Sequence, residues 1–253
     1  RIPSIFPTPE SEAENKVICC SGIGSNKPFH TLIIAQIPCL DVLEKTQCFP
    51  FYTYTEDGSH RQENITNWAL NAYQTHYKDN TITKWDIFYY VYGLLHHQGY
   101  RDKYQANLKR ELPRLPYAPD FWHLSQAGQQ LADLHLNYEQ QQPHELEEET
   151  KGNLNWRVEK MRLNKDKTAL TYNDTLILKG IPPQVFDYKL GNRSALHWII
   201  DQYQLKTDQR SGITNDPNRP EEPRYIFELI GKIITVSLKT VAIVEDINGL
   251  DFD

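Results

Sequence analysis

The pattern of apolar and polar positions begins with short apolar runs. Val17–Cys20 and Thr31–Ile37 are rich in β-branched residues and too short for helices, so they predict strands. Residues 21–27 (SGIGSNK) predict a loop between them. A phosphate-binding loop would need Ser or Thr after the lysine, opening a helix, and Pro28 stands there instead. Residues 1–56 form the first predicted segment, which is strand-rich.

Residues 57–139 predict a helical lobe. Apolar side chains from Trp85 to Leu95 recur at i, i+3, i+4 and i+7 behind the N-cap Thr83, which predicts an amphipathic helix. Such an aromatic stripe is more typical of a core than of a ligand site. The same pattern predicts three more helices: Trp68–Tyr77 behind the candidate cap Asn64, Tyr100–Leu112, and Gln126–Tyr138 behind the cap Ser125.

The helical periodicity stops in residues 140–155, where Gln repeats and clustered acids predict a solvated linker. Residues 156–253 then predict a second lobe with a β-meander followed by helices. One helix begins behind the cap Ser194, and a largely apolar helix runs from Tyr225 to about Val244. The predicted fold class is α+β, with a helical block, a small, mostly antiparallel β-sheet and a long C-terminal helix.

The composition is that of a folded chain without strongly basic character. Its 253 residues allow one large domain or two modest ones, and 39% hydrophobic with 11% aromatic residues predict a packed core. The formal net charge of −6 excludes a polybasic protein that coats nucleic acid by charge alone. No apolar run approaches the roughly 18 residues of a membrane span, and no signal peptide opens the chain. We therefore expect a cytoplasmic protein without a membrane partner.

The chain begins at Arg1 and its single methionine is Met161, so we expect it to be a piece of a longer polypeptide. It contains four cysteines: Cys19, Cys20, Cys39 and Cys48. They are too few for a disulfide scaffold and lack the spacing of a zinc site. We expect reduced, mostly buried thiols.

The sequence lacks a complete catalytic constellation. Asp120 after proline, followed by Glu149 and Lys151, spells the skeleton of a metal-dependent nuclease, but the second half falls in the predicted linker instead of on a rigid strand. His96 and His97 are neighbours on a helix and diverge by about 100°, so they do not form a metal pair. We therefore predict no catalytic and no metal-binding residues, and a stand-alone nuclease is the least favoured alternative.

Cationic side chains concentrate in three stretches, Tyr100–Arg114, Trp156–Lys167 and Leu205–Arg219. The first two each carry a net charge of +3, and the third places cations and Asn among turn residues. Arg and Asn suit base edges, and Lys suits phosphates; an ordinary solvated face is the alternative for each stretch. With Arg193, the candidate nucleic-acid-binding residues are Arg101, Lys103, Lys109, Arg110, Arg114, Arg157, Lys160, Arg162, Lys165, Lys206, Arg210 and Asn215.

Long strings of residues carry a family resemblance. They are YVYGLLHHQGYRDKYQANLKRELPRLPY at Tyr90–Tyr117, FWHLSQAGQQLADLHLNYE at Phe121–Glu139, and Leu170–Asn218 with its LTYNDTLILKGIPP and GNRSALHWIIDQYQLKTDQRSGITNDPN. These strings resemble the C-terminal region of Type ISP restriction–modification enzymes. Glu44–Tyr54 (EKTQCFPFYTY) is similar to the family's segment that leaves the methyltransferase, and the resemblance covers most of residues 30–243.

In that family a nuclease, a helicase-like ATPase, an adenine-N6 methyltransferase and a target-recognition domain follow one another in one polypeptide. The resemblance implies that this chain recognises a sequence in double-stranded DNA and thereby directs adenine-N6 methylation and ATP-dependent cleavage by upstream domains. It implies S-adenosylmethionine, ATP and Mg for those domains and no cofactor here. The implied partners are DNA and the upstream methyltransferase and helicase domains. Base-contacting positions do not carry over, because they differ among members.

One alternative from another class remains. A helical protein-interaction or coupling module would expose part of its Tyr and Trp stripe to dock a partner domain. A large apolar patch without a continuous positive surface would favour that alternative.

Overall fold

The computed structural model describes residues 4–38, 42–55, 57–58 and 60–250, and Cys39 lies outside them. The chain divides into two units, one made of Arg1–Leu136 with Ala242–Asp253 and the other of Asn137–Val241. No helix in the described ranges combines the length and apolar character needed to cross a bilayer.

The described residues form helices and short antiparallel strands, which confirms the α+β class. The helices are α1 Pro9–Glu14, α2 Asn67–Tyr77, α3 Lys84–His96, α4 Gln98–Lys103, α5 Gln105–Leu108, α6 Phe121–Leu136, α7 Ala195–Gln202 and α8 Tyr225–Ile247. The strands are β1 Val17–Cys20, β2 Thr31–Ile34, β3 Gln47–Pro50, β4 Tyr52–Tyr54, β5 Arg61–Glu63, β6 Glu147–Thr150, β7 Arg162–Leu163, β8 Ala169–Thr171, β9 Leu176–Lys179, β10 Lys189–Leu190, β11 Arg193–Ser194, β12 Lys206–Thr207 and β13 Thr214–Asn215.

The first unit has a three-stranded antiparallel sheet in the order β2-β1-β3. All four residues of β1 are buried, so its side chains are covered on both faces. The register places Cys19 opposite Cys48, with 3.9 Å between their sulfur atoms. Both are free thiols, as is the buried Cys20. The predicted strand Thr31–Ile37 is confirmed as far as Ile34.

Helices α3 and α6 cross closely at the centre of the first unit. A Cβ atom added at Gly128 would lie 1.8 Å from the Tyr89 carbonyl oxygen, and one added at Gly93 would lie 2.3 Å from that of Leu124. Glycine is the residue that permits this approach of two backbones. The aromatic stripe of α3 is mostly buried here, with Tyr92 at 0% exposure, so the prediction of a core is confirmed.

Two predicted helix caps are wrong. The N-cap of α2 is Thr66, not Asn64. Ser125 lies inside α6, where its hydroxyl donates to a carbonyl of α3. Helix α6 begins at Phe121 instead of at Gln126. The Asp120 carboxylate accepts a hydrogen bond from the His123 N–H at 2.9 Å and so satisfies a free amide of the first turn.

The basic helix predicted over Tyr100–Leu112 consists of two short helices, α4 and α5, and ends at Leu108. Tyr104 interrupts it, with backbone angles φ −104° and ψ 14°. Leu112 precedes Pro113, whose ring disfavours the helical conformation in the residue before it. The prediction of one continuous helix is therefore wrong.

The second unit contains a four-stranded antiparallel sheet in the order β6-β9-β8-β7. The predicted meander is confirmed, although residues 156–161 are irregular rather than a strand. Within 140–155, the residues Glu147–Thr150 pair with β9 and are not linker. Their acidic side chains gave no strand pattern because an edge strand is stabilised by backbone pairing and tolerates exposed charge, here with Glu149 paired to Lys179.

The long C-terminal helix is confirmed as α8, but the chain from Ala242 onward belongs to the first unit. The expectation that 156–253 forms one lobe differs from this division. Ile247 is completely buried in the core of the first unit, and the Leu250 carbonyl oxygen lies 3.0 Å from a ring nitrogen of His97. The C-terminal end of α8 therefore belongs to the first unit because its side chains are buried in the core of that unit.

Candidate nucleic-acid interface

A concave, cation-rich surface of the second unit is the strongest candidate site, and we call it the Arg157 groove. Its cavity has a volume of about 280 Å³. It contains three cationic and two acidic side chains among polar neutral ones. The lining residues are Asn155, Arg157, Glu159, Lys160, Arg162, Thr171, Asn173, Asp174 and Thr175.

The irregular backbone of this groove is held by polar side chains. The Asn173 amide donates to the carbonyl oxygens of Asn155 at 2.6 Å and Arg157 at 2.9 Å. The Asn218 side chain binds both the N–H and the carbonyl of Val158, each at 2.8 Å. Side-chain hydrogen bonds thus replace the backbone pairing of a strand and fix where the cations emerge.

Arg157 is oriented by an ion pair. Its guanidinium nitrogen lies 2.7 Å from a carboxylate oxygen of Asp216. Hydrogen bonds from the side chain and backbone of Asn218, with a further one from Arg157, lower the pKa of Asp216 to about 2, so the carboxylate is ionised. A guanidinium has five N–H donors, and those that Asp216 does not use remain for a ligand. Lys160 and Arg162 are exposed and have no ion-pair partner within the described residues.

Both ends of the β12–β13 hairpin attach to the Arg157 groove. The N–H of Leu205, just before β12, donates to the Glu159 carbonyl at 2.9 Å. Asp216, just after β13, holds Arg157. The predicted residue Asn215 is exposed in β13, so it extends the polar surface of the groove into the hairpin.

Asp201 of α7 brings together two other predicted cations. The Lys206 ammonium donates to the Asp201 carbonyl at 2.7 Å and lies 3.5 Å from its carboxylate. The Arg193 guanidinium lies 3.4 Å from the same carboxylate and over the ring of Trp198. Lys165 is exposed in the turn between β7 and β8. Asp201 therefore partly neutralises Lys206 and Arg193.

The first predicted cluster separates into different environments. Arg101 is half-buried, and its Nε donates to the Leu95 carbonyl at 2.6 Å, so it holds the C-terminal end of α3. Arg114 pairs with Glu111 at 2.9 Å. Lys103 is exposed. The cluster therefore does not act as one uniform surface.

Lys109 and Arg110 are exposed without a side-chain partner within the described residues, and a distant loop meets them. The Gly24 N–H donates to the Lys109 carbonyl at 2.9 Å, and the Lys45 ammonium donates to the Gly24 carbonyl at 2.8 Å. Together, Lys45, Lys109 and Arg110 form what we call the Lys109 patch. Sequence reasoning missed Lys45, because backbone contacts between distant loops leave no periodic signal.

The acidic residues of the nuclease skeleton and the buried His135 are bonded to other parts of the fold. The Asp120 carboxylate accepts a hydrogen bond from the first turn of α6, and Glu149 pairs with Lys179 across the sheet, so neither half of the nuclease skeleton stands free. Burial lowers the pKa of His135 to about 3, and its ring nitrogen is hydrogen-bonded to the Tyr92 hydroxyl at 2.7 Å. Within the described ranges, no group of three or more His, Cys, Asp or Glu residues is arranged to hold a metal ion.

Comparison with known proteins gives one family. The family model described as "Type ISP C-terminal specificity domain" matches residues 1–229. No curated protein matches the chain.

Three solved structures with a similar fold are larger proteins in complexes with DNA. A nuclease-deletion mutant of the Type ISP restriction-modification enzyme LlaGI, in complex with a DNA substrate mimic, is 36% identical over 99% of this chain, with a TM-score of 0.83. The DrdV–DNA complex is 38% identical over 96%, with a TM-score of 0.85. The ATP-dependent Type ISP enzyme LlaBIII bound to DNA is 33% identical over 99%, with a TM-score of 0.86. The chain spans 22%, 25% and 17% of these three chains, respectively.

Proposed function

Because the chain belongs to the family of Type ISP C-terminal specificity domains, we propose that it recognises a specific sequence in double-stranded DNA. The observation that carries this proposal is the Arg157 groove, in which an oriented guanidinium and two further cations share one concave surface. The DNA complexes of LlaGI, DrdV and LlaBIII support the same partner.

The groove has the properties that sequence reading requires. Base discrimination needs side chains held in place, because a mobile cation binds any phosphate equally well. Asp216 and Asn218 provide that hold for Arg157. A guanidinium suits the two acceptors of a guanine edge, and the nearby Lys160 suits a phosphate. We assign Arg157 to base reading and Lys160 to backbone contact.

The Lys109 patch supplies sequence-independent attraction in this proposal. Its lysines and arginine are exposed, and no described acid pairs with Lys109 or Arg110. Exposed cations of this kind bind phosphates and add to affinity without selecting a sequence. The overall charge of −6 does not oppose this, because nine of the 33 acids lie in the two runs 139–149 and 245–253.

We further propose that recognition directs adenine-N6 methylation and ATP-dependent cleavage by upstream domains of one longer polypeptide. That polypeptide would be a restriction endonuclease, a DNA adenine methyltransferase and a helicase-like ATPase, acting in the cytoplasm of a prokaryotic cell. The upstream domains would use S-adenosylmethionine, ATP and Mg. This chain would select the site, so that an adenine next to its contacts can leave the base stack and enter the methyltransferase pocket.

The proposal is tested with the full-length protein. Mapping the methylated adenines in cells that express it identifies the modified sequence. Competition binding then compares a duplex carrying that sequence with a scrambled duplex at several salt concentrations. We expect at least a thousandfold preference for the mapped sequence, the low end for specific DNA-binding proteins (about 10³ and above). Equal affinity for both duplexes would contradict the proposal.

A further inference from the structure

Two cysteines face each other across the sheet of the first unit. The register of β1 and β3 pairs Cys19 with Cys48, and their sulfur atoms lie 3.9 Å apart. Residues directly opposite in an antiparallel pair have Cα atoms about 4.5–5.5 Å apart, which is within the range that a disulfide spans. Rotation about the two Cα–Cβ bonds therefore brings the sulfur atoms to bonding distance while the strands keep their pairing.

The surroundings of the pair leave one sulfur atom accessible. Cys19 is completely buried in a small apolar cluster with Phe6, Val17 and Leu43. Cys48 packs against that cluster and is partly exposed. A small oxidant in solvent thus reaches Cys48, and the Cys19 thiol lies behind it at contact distance.

The two thiols also differ in acidity. A hydrogen bond from the Cys19 thiol lowers the pKa of Cys48 to about 7, so a large share of Cys48 is thiolate at neutral pH. The same hydrogen bond, together with burial, raises the pKa of Cys19. The thiolate is the form of cysteine that attacks a peroxide, so the accessible member of the pair is also the nucleophilic one.

Cys20 differs from this pair in every one of these respects. Successive residues of a strand point to opposite faces, so the side chain of Cys20 lies in the main core of the unit and not beside Cys19. Its thiol donates to the Thr31 hydroxyl at 3.6 Å, and burial raises its pKa to about 12. Cys20 is therefore neither accessible nor ionised at neutral pH.

We propose that the Cys19–Cys48 pair is a site of reversible oxidation by hydroperoxides. The Cys48 thiolate attacks one oxygen of the peroxide and the O–O bond breaks, which gives Cys48 sulfenic acid. The other oxygen leaves as water with the proton that the thiol had released. The Cys19 sulfur then attacks the Cys48 sulfur: the S–S bond forms, the S–O bond breaks, and the hydroxyl leaves as water with the Cys19 proton. One hydrogen peroxide accepts two electrons from two thiols and becomes two water molecules.

The new bond joins β1 and β3 at the two ends of segment 21–46. That segment carries Lys45 of the Lys109 patch and Gly24, whose N–H donates to the Lys109 carbonyl. A thiol reductant opens the bond again by thiol–disulfide exchange. The inference is independent of the proposed function, because the pair lies in the sheet of the first unit and its oxidation needs no DNA.

The test uses the folded full-length protein, hydrogen peroxide as the oxidant and dithiothreitol as the reductant. The thiols that remain after oxidation are alkylated, and the protein is digested without reduction and measured by mass spectrometry. We expect Cys19 and Cys48 to lose their alkylation, a linked peptide lighter by two hydrogen atoms to form, and both sites to recover after reduction. Absence of the linked peptide, or equal oxidation of Cys20, would overturn the proposal.

Variants test the order of the two steps. In Cys19→Ser we expect the sulfenic acid of Cys48 to accumulate and to be labelled by dimedone, a 1,3-diketone probe. In Cys48→Ser we expect neither the label on Cys19 nor the linked peptide. Cys20→Ala is the matched control, since it retains the pair and should form the linked peptide as the unmodified protein does.

Circular dichroism checks that each variant is folded, and the linked peptide of the unmodified protein decides the matter where a variant does not fold. A dimedone label on Cys19 in folded Cys48→Ser would contradict the assignment of Cys48 as the attacking thiol. The same holds if folded Cys19→Ser takes up no label at Cys48. A folded Cys20→Ala protein that forms no linked peptide would contradict the pairing of Cys19 with Cys48.

Discussion

The two units of the chain use polar side chains for opposite purposes. In the first unit, polar groups such as His135 and the Tyr92 hydroxyl bond to each other inside an aromatic core. In the second unit, Asn173 and Asn218 hold an irregular backbone at the surface. The contrast teaches that polar bonds stabilise the closed core of the first unit, whereas in the second unit they fix an irregular surface backbone that carries exposed cations.

The largest expected effect comes from the close helix crossing of the first unit. Gly128→Ala places a Cβ atom against the Tyr89 carbonyl, so the backbones of α3 and α6 must separate. We expect a loss of about 3 kcal/mol or more in the free energy of unfolding, since overpacking of this kind reaches that range. Denaturant titration measures it.

Gly152→Ala in the second unit is the matched control. Nothing lies within 4 Å of its added Cβ atom. We expect a loss of about 1 kcal/mol in the free energy of unfolding, because the backbone at Gly152 has a φ of +72°. A Gly128→Ala variant as stable as this control would contradict the close crossing.

Acid should weaken the first unit through its buried histidine. Burial lowers the folded pKa of His135 to about 3, whereas the unfolded chain takes up a proton near pH 6.5. Stability therefore falls as the pH falls between these two values, by about 1.4 kcal/mol per pH unit for this residue. Urea unfolding at a series of pH values measures the slope.

His135→Asn retains an acceptor for the Tyr92 hydroxyl but does not titrate. We therefore expect the dependence of the unfolding free energy on pH to decrease by about 1.4 kcal/mol per pH unit. His60→Asn is the control, because His60 is exposed. An unchanged slope in His135→Asn would show that the buried histidine does not govern the acid response.

The smallest expected effects are on DNA binding, and they distinguish the oriented cation Arg157 from the unpaired cation Arg110. Arg157→Ala should lower discrimination at one base pair by about 1–3 kcal/mol, because it removes an oriented donor pair. Arg110→Ala should weaken binding to all duplexes similarly and reduce the slope of log K against log salt by about 0.9. Binding at several salt concentrations, with specific and scrambled duplexes, measures both. The division of roles would be refuted if the two variants behaved alike.

Local signals predicted much of the fold. Thr83 with Asp86 forms a capping box, and Ser194 caps α7, so both helices begin where the sequence indicated. The edge strand β6 was missed because backbone pairing with the distant strand β9 forms it, and the two-residue strands β12 and β13 were missed because they are too short to show an alternating pattern. Periodicity reports side chains that face a core, and these strands face solvent.

The candidate site was predictable only as a set of cations. The sequence indicated Arg157 and Lys160 as cations. It could not show that Asp216 orients Arg157, or that Lys160 has no ion-pair partner among the described residues. It also could not distinguish Arg101, which binds the Leu95 carbonyl, from its exposed neighbours. Those distinctions depend on tertiary contacts between residues far apart in sequence.

The hydrogen bonds of the β12–β13 hairpin separate the shape of its tip from its attachment. The bonds that shape residues 208–213 join members of that turn, whereas the attachments to the Arg157 groove lie at Leu205, Asp216 and Asn218. Substitutions at the attachment points should therefore detach the hairpin from the groove while its tip keeps its own fold.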